Sequence, residues 1–226
     1  MEYGLKKLVG ILKKRIQTKP NEIHWLGANM SQARVLNEKE LKRVLAYLST
    51  KKYGSRDRAM MLLTHYAGMR IGEVASLKIK NVLANDGTIK EEINLTAEQT
   101  KGKHSRTVIL SEKMRKEILN YLQVRFRTQN LIPITYLDLE KPLFKTQKRD
   151  GFDANTACYH FHMLYKEIGL DGASSHSGRR GFLSTLSEKG IPLKVMMELA
   201  GHRQAQTTMR YVSVTPDMKR NAVNLL

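Results

Sequence analysis

The sequence predicts a mostly helical α+β fold that contains a small antiparallel three-stranded sheet. Most of the chain consists of segments with apolar residues at helical spacing, and glycines or prolines mark the ends of these segments. The stretch 79–110 differs, because it holds short runs rich in β-branched and apolar residues around Asn85-Asp86-Gly87, a strong hairpin signal. Helices therefore dominate the prediction, and the sheet is confined to one insertion between them.

The first helix of the compact domain is predicted to begin at Asn37. The run from Asn37 to Glu40 resembles a capping box, in which the cap and the third helical residue bond each other's backbone. An apolar stripe follows it at helical spacing, formed by Leu41, Val44, Leu45 and Leu48. Together the cap and the stripe predict an amphipathic helix that packs on the core.

A second helix is predicted from about Ser55 to Ala67, and Gly68 is a natural helix stop. The chain then reads A-G-M-R-I-G-E-V-A-S-L, which indicates that another helix begins at once. This arrangement places Arg70 at the junction of the two helices and Glu73 one turn later.

The sheet is predicted from three runs, Ile79–Leu83, Thr88–Leu95 and Arg106–Leu110. The chain enters the last run through T-K-G-K-H-S-R, so the turn before it is rich in lysine. Helices are then predicted at 111–126, 155–168, 177–189 and 192–200, and a short one passes through Tyr211. Three of these segments are followed by glycines at the expected stop positions, namely Gly169, Gly190 and Gly201.

Residues 1–35 are predicted to form a basic helix and a linker. Leu5, Leu8, Val9, Leu12 and Ile16 share one helical face, and lysines lie mainly on the rest of the wheel. Such a helix fits three placements, namely on DNA, on another subunit or against its own domain.

The net charge of +18 is the most informative feature of the composition. It favours a polyanionic partner, and nucleic acid ranks above a membrane surface because no lipid-facing segment accompanies the charge. A merely solubilising basic surface is the alternative. The sequence contains no run of apolar residues long enough to span a membrane and no secretory signal. With Cys158 as the single cysteine, we expect a reducing, cytoplasmic setting.

The stretch 176–211 carries the residues with the clearest chemistry. His176 and Arg179 stand three apart, Gly201-His202 follows an apolar helical run, and Tyr211 comes nine residues after His202. Arginine binds phosphate oxygens with a planar fork, histidine transfers protons near neutral pH, and tyrosine can form a covalent intermediate. These residue types point to chemistry on a phosphate. No carboxylate cluster suggests a magnesium site and no nucleotide-binding loop is present, so we expect neither a metal nor another cofactor.

Four segments taken together resemble the catalytic domain of the tyrosine recombinases, the phage-integrase family. These segments are A-G-M-R-I-G-E, T-K-G-K-H-S-R, H-S-G-R-R and A-G-H-R-Q-A-Q-T-T-M-R-Y. Each is weak alone, but their order along the chain, with a lysine-bearing hairpin between the first and the third, is specific. The resemblance covers about 36–215. It implies that 36–226 form a catalytic domain, and that 1–35 are too short for the separate DNA-clamping domain usual in the family.

The resemblance also implies residue roles. Arg70 and Arg179 match the arginines that bind the non-bridging oxygens of the scissile phosphate, and Tyr211 matches the nucleophile. The remaining matches are Lys101 as the acid for the leaving 5′-hydroxyl, His176 as a proton-transfer or phosphate-orienting group, His202 as a phosphate hydrogen-bonding group, and Glu73 as a supporting carboxylate.

Lys103 competes with Lys101 for the acid role, and the K-G-x-x-x-R spacing to Arg106 favours Lys101. We predict Lys103, Arg106 and Arg180 as DNA contacts. The chain departs from the family pattern at Arg180, where histidine is usual, and at Gly178, where a larger apolar residue is common.

The resemblance implies a site-specific DNA recombinase or integrase that cuts and rejoins double-stranded DNA through a 3′-phosphotyrosine, without metal or nucleotide. We expect a homotetramer on paired DNA sites, an accessory DNA-bending factor as a further candidate partner, and a prokaryotic, viral or mobile-element origin. Two alternatives stay open, namely a non-catalytic DNA-binding or regulatory protein that keeps the fold, and a type IB topoisomerase-like enzyme that relaxes supercoils.

Overall fold

The computed structural model describes residues 33–129, 137–147, 149–212, 214 and 216–224. The predicted basic helix near the N-terminus lies outside these residues. The described residues form helices around one small sheet, in the order α1 Glu38–Ser49, α2 Gly54–Tyr66, α3 Ile71–Ala75, α4 Ile79–Val82, β1 Glu92–Leu95, β2 Arg106–Ile109, α5 Glu112–Phe126, α6 Ala154–Glu167, α7 Ser177–Glu188, α8 Leu193–Ala200, α9 Ala205–Met209 and α10 Pro216–Val223.

Helix α2 is the centre of the core. The run Ala59–Leu63 is buried throughout, and α2 packs against α1, α5 and α7. The packing against α7 is tight, because a Cβ added at Gly178 would lie 2.0 Å from Thr64 Oγ1. A side chain at position 178 would have no room, which accounts for the glycine where the family commonly has a larger residue.

Local signals set the ends of the helices as predicted. The Asn37 side chain accepts the backbone N–H of Glu40 at 2.9 Å, and the Glu40 carboxylate accepts that of Asn37 at 3.1 Å, so the capping box is confirmed. Gly68, Gly169, Gly190 and Gly201 all have φ between 61° and 71°, the left-handed conformation that glycine adopts readily.

The prediction of a three-stranded sheet is wrong for the described residues, which form two antiparallel strands. Leu95 pairs with Arg106 and Glu92 with Ile109, while the Asn85–Gly87 turn is closed by a single bridge between Leu83 and Ile89. Ile79–Val82, predicted as the first strand, is instead one turn of helix. Its backbone N–H groups at Ile79 and Lys80 donate to the carbonyls of Lys141 and Leu139, a segment distant in sequence.

Candidate active site

Arg70 and Glu73 form the first part of the site, at the start of α3. Arg70 caps the helix, and the Glu73 carboxylate accepts its backbone N–H at 2.8 Å and its Nη1 at 3.0 Å. The Glu73 side chain is 1% exposed, whereas that of Arg70 is 30% exposed. The buried Glu73 carboxylate therefore holds the guanidinium of Arg70 in place, while part of that guanidinium remains accessible to solvent.

The same carboxylate binds Arg106 at the start of β2. Nη2 and Nε of Arg106 donate to the two oxygens of Glu73 at 2.7 and 3.3 Å, and Nη1 donates to the carbonyl of Leu199 at 3.0 Å. Burial by itself raises the pKa of Glu73, but the hydrogen bonds and charges of Arg106 and Arg70 outweigh it and lower the pKa below its ordinary value. Glu73 is therefore a carboxylate at neutral pH.

Arg179, in the first turn of α7, lies at the bottom of the site. Its guanidinium donates to the carbonyls of Gly68 and, at 2.6 Å, Ala200, and it lies 2.8 Å from Nε2 of His202. These partners carry no negative charge. Burial and then the nearby Arg70 lower the pKa of Arg179 to about 9, which still leaves it protonated at neutral pH. A buried cation whose hydrogen-bond partners in the described part of the chain are neutral is suited to binding an anion.

His202 connects Arg179 to the last helices. It follows the left-handed Gly201 that ends α8, and its Nδ1 lies 2.9 Å from Oγ1 of the fully buried Thr208. Burial and the charges of Arg179, Arg70 and Arg106 lower the pKa of His202 to about 4, so the ring is neutral at pH 7. A neutral ring that accepts from Arg179 at Nε2 carries its proton on Nδ1, directed at Thr208.

Tyr211 follows α9 and is partly buried against the small apolar cluster of Leu183, Met196 and Ala200. Its ring lies nearly parallel to that of His202, with 6.2 Å between the centroids, and Arg180 Cζ lies 5.7 Å from its centroid. The phenol also acts electrostatically on Arg179. The predicted nucleophile therefore lies beside the predicted phosphate-binding groups.

His176 and Lys101 border the site from two other elements. His176 is the residue that precedes α7, and burial followed by the charges of Arg179, Lys101 and Arg70 lowers its pKa. Lys101 is exposed in the turn between β1 and β2. Six residues that the sequence singled out as catalytic thus come from α3, the hairpin, α7, α8 and α9 to one place, namely Arg70, Lys101, His176, Arg179, His202 and Tyr211.

The three residues predicted as DNA contacts differ in position. Lys103 is exposed in the hairpin turn, and Arg180 is partly exposed beside Tyr211. The Arg106 side chain is 10% exposed, and each of its three nitrogens already has a partner within the protein. Sequence reasoning missed Thr208 as a site residue, although it lies in the segment that carries His202 and Tyr211.

Within the described ranges, no group of three or more histidine, cysteine or carboxylate side chains is arranged to hold a metal ion. In the same part of the chain, none of the helices is long and apolar enough to cross a membrane.

The helical domain thus brings together two arginines, two histidines, a lysine and a tyrosine from the four segments on which the resemblance rests. The model of the phage integrase family matches residues 34–218, and the chain belongs to this family. The match includes every residue of the site.

Curated relatives carry the names of recombinases and a transposase. The chain is 28% identical over 188 residues to tyrosine recombinase XerA of Pyrococcus horikoshii, which is 83% of this chain and 59% of that protein. It is 27% identical over 200 residues to tyrosine recombinase XerD of Rickettsia prowazekii, covering 84% of this chain and 61% of the relative. Transposase A of transposon Tn554 from Staphylococcus aureus is 23% identical, over 88% of this chain and 54% of its own. The chain thus spans about three fifths of the length of the curated relatives it matches.

Solved structures share the fold. The crystal structure of XerA recombinase superposes with a TM-score of 0.63 at 26% identity, over 84% of this chain and 64% of that one. The Tn1549 transposon integrase in complex with a circular intermediate DNA gives a TM-score of 0.65 at 17% identity, over 97% and 75% of the two chains. The predicted mostly helical fold, with a small antiparallel sheet, is confirmed apart from the number of strands.

Proposed function

We propose that this protein is a site-specific DNA recombinase that cleaves and rejoins DNA through a covalent 3′-phosphotyrosine at Tyr211. The observation that carries the proposal is the buried Arg179 guanidinium, whose hydrogen-bond partners among the described residues are neutral and which lies beside His202 and within electrostatic reach of Tyr211. A phosphodiester bound here supplies a negatively charged partner for this guanidinium.

The arginines bind the scissile phosphate. Arg179 approaches it from the buried side, and Arg70, fixed by Glu73, approaches it from the accessible side. As a nucleophile attacks phosphorus, negative charge grows on the non-bridging oxygens, and preorganised donors there stabilise the transition state by about 3–4 kcal/mol each. Guanidinium groups suit this task because their planar fork binds two oxygens at once.

The reaction transfers the phosphoryl group from the 5′ oxygen of the DNA to the oxygen of Tyr211. The Tyr211 oxygen attacks phosphorus, the bond between phosphorus and the 5′ oxygen breaks, and the new bond joins Tyr211 to the 3′ end of the cut strand. Lys101 gives a proton to the departing 5′ oxygen, since an alkoxide is a poor leaving group. The reverse reaction uses the 5′-hydroxyl of a second strand as nucleophile, so rejoining requires no nucleotide.

The histidines differ in their tasks. His176 is neutral at pH 7 because its pKa is lowered, so it is able to accept the proton of the Tyr211 phenol. His202 already accepts from Arg179 through Nε2, and its link to Thr208 orients the ring beside Tyr211. We assign His202 to orienting Arg179; a hydrogen bond from His202 to the phosphate requires the other tautomer, with the proton on Nε2.

DNA is the partner that the charge and the relatives support. The net charge of +18 favours a polyanion, and among the proteins of the same fold, XerH recombinase is described as bound to its difH substrate. On this basis Lys103 and Arg180 are the DNA contacts that we retain. The relatives and the charge also fit a cytoplasmic protein of a prokaryote or of a mobile element.

We infer that the protein works as a homotetramer on paired sites. Helix α10 has no buried residue, and Val214 and Val223 are 61% and 68% exposed, so apolar surface is available at the tail. Docking of this tail onto a neighbouring protomer buries that surface and joins the protomers in a ring. An accessory DNA-bending factor remains a candidate partner for the assembled complex.

The test uses a library of nicked duplexes with randomised arms, in which the short fragment released by cleavage diffuses away and leaves the covalent complex trapped. The chain is incubated with the library in EDTA and without nucleotide, and adducts are isolated under denaturing conditions. We expect an adduct with the wild-type protein, none with Tyr211→Phe, and one shared sequence among the captured strands. Tight binding without an adduct supports the non-catalytic alternative and contradicts the proposal, whereas adducts without a shared sequence and relaxation of plasmid support the topoisomerase alternative.

A further inference from the structure

Arg106 contacts three parts of the site and is itself shielded from solvent. Its side chain is 10% exposed and bridges the Glu73 carboxylate to the carbonyl of Leu199, near the end of α8. It also lies directly under Gly201, because a Cβ added there would be 2.6 Å from Arg106 Cδ. We propose that Arg106 is a positioning residue that holds the Lys101 hairpin against the arginine–histidine site. This inference rests on the proposed function.

Arg106 is able to position the Lys101 turn because of its place in the hairpin. It is the first residue of β2 and pairs with Leu95, the last residue of β1, so it lies where the lysine-bearing turn joins the sheet. Lys101 is five residues earlier, within the turn. Fixing Arg106 on Glu73 and α8 therefore fixes the base from which Lys101 extends toward the leaving oxygen.

The chemistry of the contacts requires arginine. One guanidinium donates in two directions here, with Nη2 and Nε on the carboxylate and Nη1 on the carbonyl. A lysine ammonium has one nitrogen and cannot occupy both places. Each oxygen of the Glu73 carboxylate accepts one bond from Arg70 and one from Arg106, so both guanidinium groups share one buried anion.

A second contact, between Arg203 and His104, holds the turn. Within the turn, Thr100 Oγ1 bonds the carbonyl of His104 at 2.8 Å and its N–H at 3.1 Å. Nη1 of Arg203 lies 2.7 Å from Nε2 of His104. Both attachments of the hairpin thus lead to the segment around His202, and the Thr100–His104 hydrogen bonds connect the two sides of the turn. The Arg106 attachment is the less exposed of the two, and hydrogen bonds are stronger where less water surrounds them, so it is the more stabilising one.

A direct contact between Arg106 and DNA, as the sequence predicted, does not fit this geometry. Each nitrogen of the guanidinium already bonds a group inside the protein, and the side chain is only 10% exposed, so little of its donor surface faces a phosphate outside. The two roles differ in a measurable way. A phosphate contact contributes to the salt dependence of DNA binding, whereas a positioning residue leaves it unchanged.

The decisive experiment compares two versions of the captured DNA site, one with the natural oxygen and one with sulfur at the bridging 5′ position. A thiolate leaves without receiving a proton, so sulfur removes the need for Lys101. We expect Arg106→Gln to slow single-turnover cleavage of the oxygen substrate about a hundredfold, because a misplaced catalytic group costs that much. Sulfur should restore most of the lost rate in Arg106→Gln and in Lys101→Met, but not in Arg70→Ala, whose partner oxygens are non-bridging.

The controls separate the possible failures. Arg106→Lys keeps the positive charge and is measured in parallel. If circular dichroism shows that Arg106→Gln does not fold, the test is made with Arg106→Lys. We expect the same cleavage defect and the same rescue by sulfur in Arg106→Lys. Wild-type cleavage rates in these variants, or a defect that sulfur leaves unchanged, overturn the inference. So does a salt slope for binding to a 30-base-pair duplex that falls by about 0.9 in Arg106→Gln, since that marks a lost phosphate contact. A wild-type chain that forms no adduct contradicts the proposed function instead.

Discussion

The buried bridge at Glu73 gives the most quantitative prediction. Glu73→Gln keeps the shape of the side chain but removes the negative charge shared by Arg70 and Arg106. Glu140→Gln is the matched control, because Glu140 also binds two cations, Lys78 and Lys80, but its side chain is 58% exposed. The two variants therefore differ chiefly in burial.

The expected magnitudes follow from that difference. Removing one partner of a buried ion pair costs about 3–5 kcal/mol, whereas an exposed pair contributes about 0–1 kcal/mol. For a chain of this size each kcal/mol lowers the melting temperature by about 2–4 °C, so Glu73→Gln should lower it by roughly 6–20 °C. Glu140→Gln removes two exposed pairs and should lower it less than Glu73→Gln does, by no more than about 8 °C. Differential scanning calorimetry at pH 7 measures both.

The pH dependence provides a second check on the same variant. The folded-state pKa of Glu73 is lowered, so its contribution is present above the unfolded pKa of about 4.3 and is lost as the pH falls through the folded value. The gap between wild type and Glu73→Gln should therefore be largest at neutral pH and narrow below about pH 4. Equal losses for Glu73→Gln and Glu140→Gln at pH 7 would refute the reasoning that this carboxylate organises the site.

Three further predictions concern the end of α8 and the tail. Gly201→Ala should destabilise more than Gly190→Ala in thermal unfolding, because both have positive φ but only the new Cβ at 201 meets Arg106; equal losses contradict this. His202 in the free protein should titrate near pH 4 by NMR, so its contribution to stability falls as the pH drops from about 6.5 toward 4, and a midpoint near 6.5 contradicts the burial described. Deleting 217–226 should weaken assembly on DNA in native gels without abolishing DNA binding, and unchanged assembly contradicts tail docking.

Helix boundaries could be predicted from the sequence because the signals that set them are local. The capping box at Asn37 and the left-handed glycines at 68, 169, 190 and 201 act within a few residues of where they stand. These signals depend only on neighbouring residues, so the structure agrees with the prediction at each of these helix ends.

The sheet could not be predicted as well, because its first run is decided by a distant segment. Ile79–Val82 has the apolar, β-branched character of a strand, but its N–H groups are taken by carbonyls at Leu139 and Lys141. The side chain of Asn81 also accepts the N–H of Lys78 at 2.8 Å and favours the helical turn. Tertiary pairing overrode local propensity there.

In the candidate site, too, some features could be predicted from the sequence and others depend on tertiary packing. Spacing and resemblance selected the residues that the fold then gathers, although their catalytic roles stay predictions. The partners of Arg106 and the link between His202 and Thr208 could not be predicted, since the first depend on how the end of α8 lies against the hairpin and the second on how α9 packs against α8. A KGxxxR spacing does not tell a surface arginine from a buried one.

The central claim is that Tyr211 becomes joined to the 3′ end of the cut strand. The most direct measurement digests the trapped adduct with trypsin, identifies the nucleotide-bearing peptide by mass spectrometry, and tests the released strand for a 5′-hydroxyl by enzymatic phosphorylation. The account predicts a modified peptide with the nucleotide on Tyr211 and a released strand that accepts phosphate at its 5′ end. A nucleotide on another residue, or a released strand that already carries a 5′ phosphate, would contradict it.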